Sequence, residues 1–144
     1  TNTKGVSTVP IVKSLSDAGV KLNMTAIMTL DQVRKTCAAL NSDVLAIVSV
    51  FAGRIADTGM DPLPLMKECV ETLSVKPKAK LLWASPRELL NIFHAEQAGC
   101  GIITVTPDVL GKLKYVGKDL TQFSLETVEM FYQDALAAGY TIRT

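Results

Sequence analysis

The chain has 144 residues, enough for one compact domain but well short of the roughly 250 residues of a complete (β/α)8 barrel. Hydrophobic residues make up 48% of the sequence and charged residues 20%, a composition typical of ordinary globular proteins. The 15 basic and 14 acidic residues leave a net charge of +1, which argues against a nucleic-acid partner or a charged membrane surface, and no apolar run approaches the ~18 residues of a membrane span.

The three cysteines, Cys37, Cys69 and Cys100, form no CxxC pair and no cluster with the single histidine. This spacing indicates neither a zinc site nor a disulfide framework, and it favours a reducing cytoplasm. The first five residues are polar, which argues against a signal peptide. Because the sequence also lacks an initiator methionine, we expect a processed, trimmed or incomplete chain.

Helical and extended patterns alternate from the amino terminus onward. Apolar residues at helical spacing predict a helix over residues 7–18, which Gly19 ends. Four stretches with the length and composition of strands follow, at residues 20–28, 44–51, 80–84 and 101–106. Each strand is followed by a helix start, signalled in turn by Thr29-Leu30-Asp31-Gln32, Asp61-Pro62, Ser85-Pro86-Arg87-Glu88 and Thr106-Pro107. A last helix is predicted over residues 125–138, with Ser124 as its N-cap.

This order of one helix, four βα units and a final helix predicts parallel strands within a single domain covering residues 1–144. Two architectures fit it. One is a small open α/β sheet with helices on both faces. The other is the second half of a (β/α)8 TIM barrel, in which polar residues of four consecutive strands meet at one rim.

Asn23 and Thr25 are the first candidate site residues. They share one face of the first predicted strand, because side chains alternate along a strand. Two polar groups on a buried face need partners, so they line a site or satisfy buried backbone groups.

Arg54 follows the second predicted strand in the loop 53–59, and Ser85 and Arg87 follow the third. Two guanidinium groups, a hydroxyl and the free backbone N–H groups at neighbouring strand ends could clamp a phosphate. Each residue also has a plainer interpretation. Arg54 could be a solvated loop arginine, and the capping box with Glu88 explains Ser85 by itself. Arg87 would lie in the first turn of a helix, where the macrodipole disfavours a cation unless an anion binds there.

Four longer motifs stand in order along the chain: Asn23-Met24-Thr25-Ala26-Ile27-Met28, Ser49-Val50-Phe51-Ala52-Gly53-Arg54-Ile55-Ala56-Asp57, Trp83-Ala84-Ser85-Pro86-Arg87-Glu88 and Ile103-Thr104-Val105-Thr106-Pro107. They strongly resemble transaldolases, in particular the small bacterial transaldolases and the related fructose-6-phosphate aldolases. The similarity runs over essentially the whole chain. It implies a (β/α)8 aldolase of the cytoplasmic pentose phosphate pathway, which transfers a dihydroxyacetone unit between sugar phosphates through a lysine Schiff base. The resemblance implies no metal and no organic cofactor.

The resemblance also implies roles for individual residues. Asn23 and Thr25 would line the catalytic site near the substrate hydroxyls and the catalytic water. Ser49 and Phe51 would shape the pocket. The phosphate of fructose 6-phosphate, erythrose 4-phosphate or glyceraldehyde 3-phosphate would bind to the residues of the predicted clamp: Arg54, Ser85 and Arg87.

The chain also departs from the family. There, the Schiff-base lysine lies on the strand immediately before the region matching residues 1–5, and the acid/base carboxylates lie on earlier strands. None of these is in this chain. No lysine substitutes convincingly, because Lys4 is in the entry loop, Lys13 on a helix, and Lys21 and Lys80 at strand starts, the wrong rim for catalysis.

Three interpretations stay open. The chain is the carboxyl-terminal half of a transaldolase-type enzyme, a non-catalytic sugar-phosphate-binding half barrel, or a doubly wound binding domain unrelated to aldolases. A half barrel has two exposed sheet edges, so we expect pairing with the missing half or with a second copy, and a homo-oligomer.

Overall fold

The structure is a computed structural model that describes residues 1–140. The chain divides into two compact units, Thr1–Leu110 and Gly111–Thr144. The elements, in chain order, are α1 (Val9–Asp17), β1 (Leu22–Ile27), α2 (Leu30–Ala39), β2 (Ala46–Val50), α3 (Ala52–Ala56), α4 (Pro62–Leu73), β3 (Ala79–Trp83), α5 (Leu90–Ala98), β4 (Ile102–Ile103), α6 (Pro107–Gly111), a 3₁₀ helix (Lys112–Tyr115) and α7 (Leu120–Ala137).

The first unit is built on one parallel sheet with the strand order β1-β2-β3-β4. Each strand pairs with the next one along the chain, with Met24 level with Val48 and Val48 level with Leu81. Parallel neighbours require a crossover, and the helices between the strands provide it. The predicted parallel βα order is therefore confirmed.

The apolar core lies on the helix-covered face of the sheet. Val48 and Val50 of β2 and Leu81 and Trp83 of β3 are buried there, since alternate residues of a strand share a face. Helices α2, α4 and α5 contribute the opposing side of the cluster, including Val33, Met66, Cys69 and Ala95. The intervening residues of the strands, among them Asn23 and Ser49, are thereby directed to the other face.

Local sequence signals predict three of the helix starts correctly, those of α2, α4 and α6, the last of which begins at Pro107 as the Thr106-Pro107 signal indicates. The Thr29 hydroxyl accepts the Gln32 N–H at 3.3 Å, and the Gln32 side chain accepts the Thr29 N–H at 3.1 Å, which is a complete capping box. Asp61 Oδ1 accepts the Leu63 N–H at 2.9 Å, with Pro62 in the first helical position.

Other predicted boundaries are wrong. The last helix begins at Leu120, because the Asp119 carboxylate accepts the Gln122 N–H at 2.9 Å, and Ser124 lies inside the helix. The predicted loop 53–59 is partly helical, because α3 extends from Ala52 to Ala56. The fourth strand has only two residues, Ile102–Ile103, instead of the predicted six, and the Thr106 carbonyl already accepts the first helical hydrogen bond of α6 from the Leu110 N–H.

The second unit contains an aromatic and charged cluster. The rings of Tyr115 and Phe123 stack with their centroids 5.4 Å apart, and Lys118 Nζ lies 4.6 Å from the Phe123 centroid. Lys118 also pairs with Glu126. The hydrogen bond from Lys118 lowers the pKa of the Glu126 carboxyl, so this pair keeps its charge into acidic solution.

No helix within residues 1–140 has both the length and the hydropathy that crossing a bilayer requires.

Candidate functional site

The polar face of the sheet begins with a direct contact between β1 and β2. The Ser49 hydroxyl donates a hydrogen bond of 2.7 Å to Asn23 Oδ1. Ser49 is only 3% exposed, so Asn23 satisfies a hydroxyl that would otherwise be buried without a partner. The structure thus brings together Asn23 and Ser49, two of the predicted site residues, and leaves the Asn23 amide N–H groups free to donate.

Strand β1 is irregular where it ends. Its pairing with β2 shifts register between Met24 and Ile27, and Ala26 has a φ of +59°. A non-glycine residue in the left-handed region is strained, and such strain concentrates at functional sites. Thr25 is exposed directly beside this irregularity.

Phe51 and Arg54 follow β2. Phe51 precedes the first residue of α3, and the Arg54 guanidinium carbon lies 5.5 Å from the centroid of the Phe51 ring. This is a cation–π contact, in which the ring orients the guanidinium without neutralising its charge. None of the salt bridges within residues 1–140 involves Arg54. Arg54 therefore retains its positive charge and its donors for an anion.

Gly53 makes the closest backbone approach in the site. A Cβ atom placed on Gly53 would lie 1.5 Å from the Ser85 carbonyl oxygen and 3.3 Å from Arg87 Nε. The Gly53 N–H donates to the Ala84 carbonyl at 3.3 Å, so the segments after β2 and β3 touch through their backbones. Ser85 itself has a φ of +57°, the second strained non-glycine residue at a strand end.

The predicted capping box at Ser85 and Glu88 is wrong. Helix α5 begins at Leu90, and Ser85 is in the left-handed region, which is not the conformation of an N-cap. Leu89 occupies the N-cap position without a side-chain capping hydrogen bond, and Asn91 Oδ1 instead accepts the Arg87 N–H at 2.7 Å and the Glu88 N–H at 3.2 Å, which fixes the turn before the helix. Arg87 therefore stands before the helix and not in its first turn, and the predicted conflict with the macrodipole does not arise.

Asp57, at the end of α3, is a residue of the site that the sequence did not single out. Arg87 Nε donates to Asp57 Oδ1 at 3.1 Å, and Arg87 Nη2 donates to Asp57 Oδ2. The contact is bidentate, the preferred geometry of a guanidinium with a carboxylate. Asp57 lies thirty residues before Arg87 in the sequence, and its place as the last residue of the motif that contains Arg54 is the only sequence signal that could have pointed to it.

The cysteines offer no reactive thiolate near neutral pH. Burial raises the pKa of the Cys69 thiol to about 11 and that of the Cys100 thiol to about 12, and it raises the pKa of Cys37 as well. Since the thiolate is the nucleophilic form, burial disfavours a nucleophilic role for these cysteines.

The lysines around β1 and β3 lie away from the carboxyl ends of the strands. Lys21 precedes β1 and Lys80 is the second residue of β3. Lys76 Nζ donates to the Leu40 carbonyl at 2.6 Å, and Lys78 Nζ donates to the Asp43 carbonyl at 2.7 Å, both before β3 begins. Lys13 is on α1 and pairs with Asp17 at 2.8 Å.

The fold and the site together define a parallel α/β protein of the barrel type with cationic and hydroxyl groups at the carboxyl ends of its strands. Comparison with known families makes the assignment specific. The chain matches the model of the family Transaldolase/Fructose-6-phosphate aldolase over residues 5–142, and it belongs to that family. The family fold is a TIM barrel, of which the four parallel strands form a part, as the sequence predicts.

Several proteins named probable transaldolase are similar to the chain. That of Nitrosopumilus maritimus is 31% identical over 116 residues, which cover 79% of this chain and 50% of the relative. That of Carboxydothermus hydrogenoformans is 36% identical over 104 residues, which cover 71% of this chain and 46% of the relative. That of Clostridioides difficile is 32% identical over 103 residues, which also cover 71% of this chain and 46% of the relative. The chain therefore spans about half the length of the curated relatives it matches.

The backbone contact at Gly53 gives a first prediction. In Gly53→Ala, the new Cβ would meet a backbone oxygen that cannot rotate away, so we expect the free energy of unfolding to fall by about 2 kcal/mol. Urea denaturation measures this. The matched control is Gly111→Ala, because a Cβ on Gly111 meets nothing within 4 Å. Equal stability of the two variants would show that the approach of Gly53 to Ser85 is not a constraint.

Proposed function

We propose that the chain is the phosphate-binding, carboxyl-terminal half of a transaldolase-type class I aldolase, which transfers a dihydroxyacetone unit between sugar phosphates in the cytoplasmic pentose phosphate pathway. Membership of the family supports an aldolase-type activity. The observation that carries the finer proposal is the contact of Gly53 with Ser85 and Arg87, which joins the two arginine-bearing segments at neighbouring strand ends.

The phosphate would be held by the two arginines and the Ser85 hydroxyl. A sugar phosphate is dianionic near neutral pH, and guanidinium groups bind such oxygens through paired hydrogen bonds. Arg54 brings an uncompensated positive charge, and Arg87 brings a guanidinium with a fixed orientation. The donor would be fructose 6-phosphate, and the acceptor erythrose 4-phosphate or glyceraldehyde 3-phosphate.

The sugar end of the substrate would meet the polar face of β1 and β2. Asn23 has amide N–H groups available for substrate hydroxyls, because its Oδ1 already accepts from Ser49. Thr25 lies further along the same strand and would hold the catalytic water. Phe51 would shape the pocket wall while it orients Arg54.

The covalent step would need an amine from outside the described residues. In a class I aldolase the amine adds to the ketose carbonyl and water leaves, which gives the Schiff base. Cleavage of the carbon–carbon bond then releases the aldose phosphate and leaves the dihydroxyacetone unit on the amine. Such an amine must lie in the pocket, whereas Lys76, Lys78 and Lys80 are grouped at the amino end of β3.

That position of the lysines favours a second candidate function, a sugar-phosphate-binding half barrel without catalysis. It would use the same arginines and form no Schiff base. A binding experiment with the chain tests what both candidates share, and a trapping experiment separates them.

For binding, we predict that fructose 6-phosphate titrated into the chain gives a saturable heat signal and that fructose does not. Arg54→Ala should weaken this binding by at least about tenfold, because a charged hydrogen-bond donor is removed from a charged ligand. Arg34→Ala is the matched control, since Arg34 is an exposed arginine on α2, outside the site. The proposal fails if fructose 6-phosphate does not bind, or if the two variants bind it equally.

For catalysis, we predict that borohydride reduction with fructose 6-phosphate adds no mass to the 15.5 kDa chain. The longer protein with a Schiff-base lysine should gain one reduced dihydroxyacetone adduct, since hydride converts the imine to a stable amine. Intact mass spectrometry measures both. An adduct on the 144-residue chain would contradict the proposed origin of the amine. Absence of an adduct on the longer protein would favour the non-catalytic candidate.

The sheet edges imply a partner. Within residues 1–140, β1 pairs only with β2 and β4 only with β3, so two parallel edges are open. Proteins normally cover such edges, and we propose that the rest of the barrel or a second copy does so here. Light scattering should give a mass that exceeds 15.5 kDa and rises with protein concentration. A monomer at every concentration would count against this.

A further inference from the structure

We propose that Asp57 is a positioning residue, which holds the Arg87 guanidinium in the orientation in which it binds the phosphate of the substrate. This inference rests on the proposed function. It adds a residue that neither the sequence motifs nor the predicted clamp gave a role, and it explains how a long exposed side chain is kept ready for its ligand.

The geometry leaves one edge of the guanidinium available. A guanidinium has five N–H donors, and the contact with Asp57 occupies one on Nε and one on Nη2. Within residues 1–140, the two donors on Nη1 and the second donor on Nη2 have no other side-chain partner. This free edge is the one that can bind two oxygens of a phosphate, so the carboxylate selects the edge that faces the ligand and does not block it.

Arg87 is anchored at both of its ends. Its backbone N–H donates to Asn91 Oδ1 at 2.7 Å, and Asn91 is only 8% exposed. Its side chain is held by Asp57 at the end of α3. The two anchors belong to different segments, which meet where the Gly53 backbone approaches Ser85. An arginine fixed in this way loses less conformational freedom when the ligand binds.

The negative charge of Asp57 weakens phosphate binding, whereas its contact with Arg87 strengthens it. A carboxylate near a bound phosphate disfavours the anion by Coulomb repulsion, so removal of the charge alone would strengthen binding. Loss of the orientation would weaken it. The two effects have opposite signs, and we infer that orientation dominates, because the contact is bidentate and half of each side chain faces solvent, which screens the repulsion.

The experiment is calorimetric titration of fructose 6-phosphate into the chain and its variants. Asp57→Ala should weaken binding by about tenfold, the effect of one lost hydrogen bond to a charged group. Asp57→Asn keeps the shape of the side chain and one acceptor oxygen, so it should weaken binding by less than Asp57→Ala. If Asp57→Ala does not fold, the affinity of Asp57→Asn tests the positioning role. Asp17→Ala is the control, because it also removes a half-exposed acid from an ion pair, with Lys13.

A second measurement reports the orientation without any ligand. In a ¹⁵N-correlated spectrum, the Nε–H signal of Arg87 should be resolved and protected from solvent exchange in the unmodified chain. It should lose that protection in Asp57→Ala and keep it in Asp17→Ala. The urea midpoint should be the same in all variants, since an exposed ion pair adds little to stability.

The outcomes distinguish the two proposals. If Arg87→Ala loses binding while Asp57→Ala and Asp57→Asn bind as tightly as the unmodified chain or more tightly, the positioning role is overturned and the phosphate site stands. If the unmodified chain does not bind fructose 6-phosphate, or Arg54→Ala and Arg87→Ala bind it unchanged, the phosphate site is overturned, and the positioning role with it.

Discussion

The approach of the Gly53 backbone to the Ser85 carbonyl is the constraint on which the candidate site depends. With a would-be Cβ only 1.5 Å from that oxygen, the segments that follow β2 and β3 are in direct contact. The backbone bonds from Ala84 to Val50, at 2.8 Å, and from Gly53 to Ala84 continue the pairing beyond the regular strands. Because Arg54 and Arg87 each stand one or two residues from this contact, it fixes where both guanidinium groups emerge.

The two faces of the sheet differ in the side chains they carry and in the regularity of their backbone. The helix-covered face is filled by fully buried side chains such as Val48, Met66 and Trp83, and its regular strands follow from their packing. The opposite face carries the hydrogen bond between Ser49 and Asn23, and its strand ends carry the two left-handed non-glycine residues, Ala26 and Ser85. Regular geometry thus coincides with the core, and backbone strain with the polar rim, as in proteins whose scaffold supports a site at its edge.

The parts of the fold that could be predicted from sequence are those decided by neighbours along the chain. The two residues of the capping box, Thr29 and Gln32, are three positions apart, and the parallel βα order follows from alternating periodicity. The capping box predicted at Ser85 is wrong, because Ser85 has a left-handed backbone and lies against Gly53, a contact between residues thirty-two positions apart that local sequence does not encode. The candidate site shows the same division. Arg54, Ser85 and Arg87 could be predicted because their side chains can bind a phosphate. Asp57 and Asn91 could not, because their role depends on contacts with Arg87 that form only in the folded chain.

The distribution of ionisable groups suggests how an aldolase-type site would be divided between this chain and the rest of a longer protein. The described rim contains groups that bind and orient. The Asn23 amide contacts the Ser49 hydroxyl, and the two guanidinium groups contact Phe51 and Asp57. The rim draws no nucleophile from the thiols or from the lysines around β3, since burial raises the pKa of the Cys69 and Cys100 thiols and these lysines lie at the amino end of the strand. Binding a phosphate requires fixed cations, whereas forming a Schiff base requires an amine that loses its proton near neutral pH. On the proposed function, the described rim would therefore supply the fixed cations that hold the substrate, and the amine would have to be supplied from elsewhere.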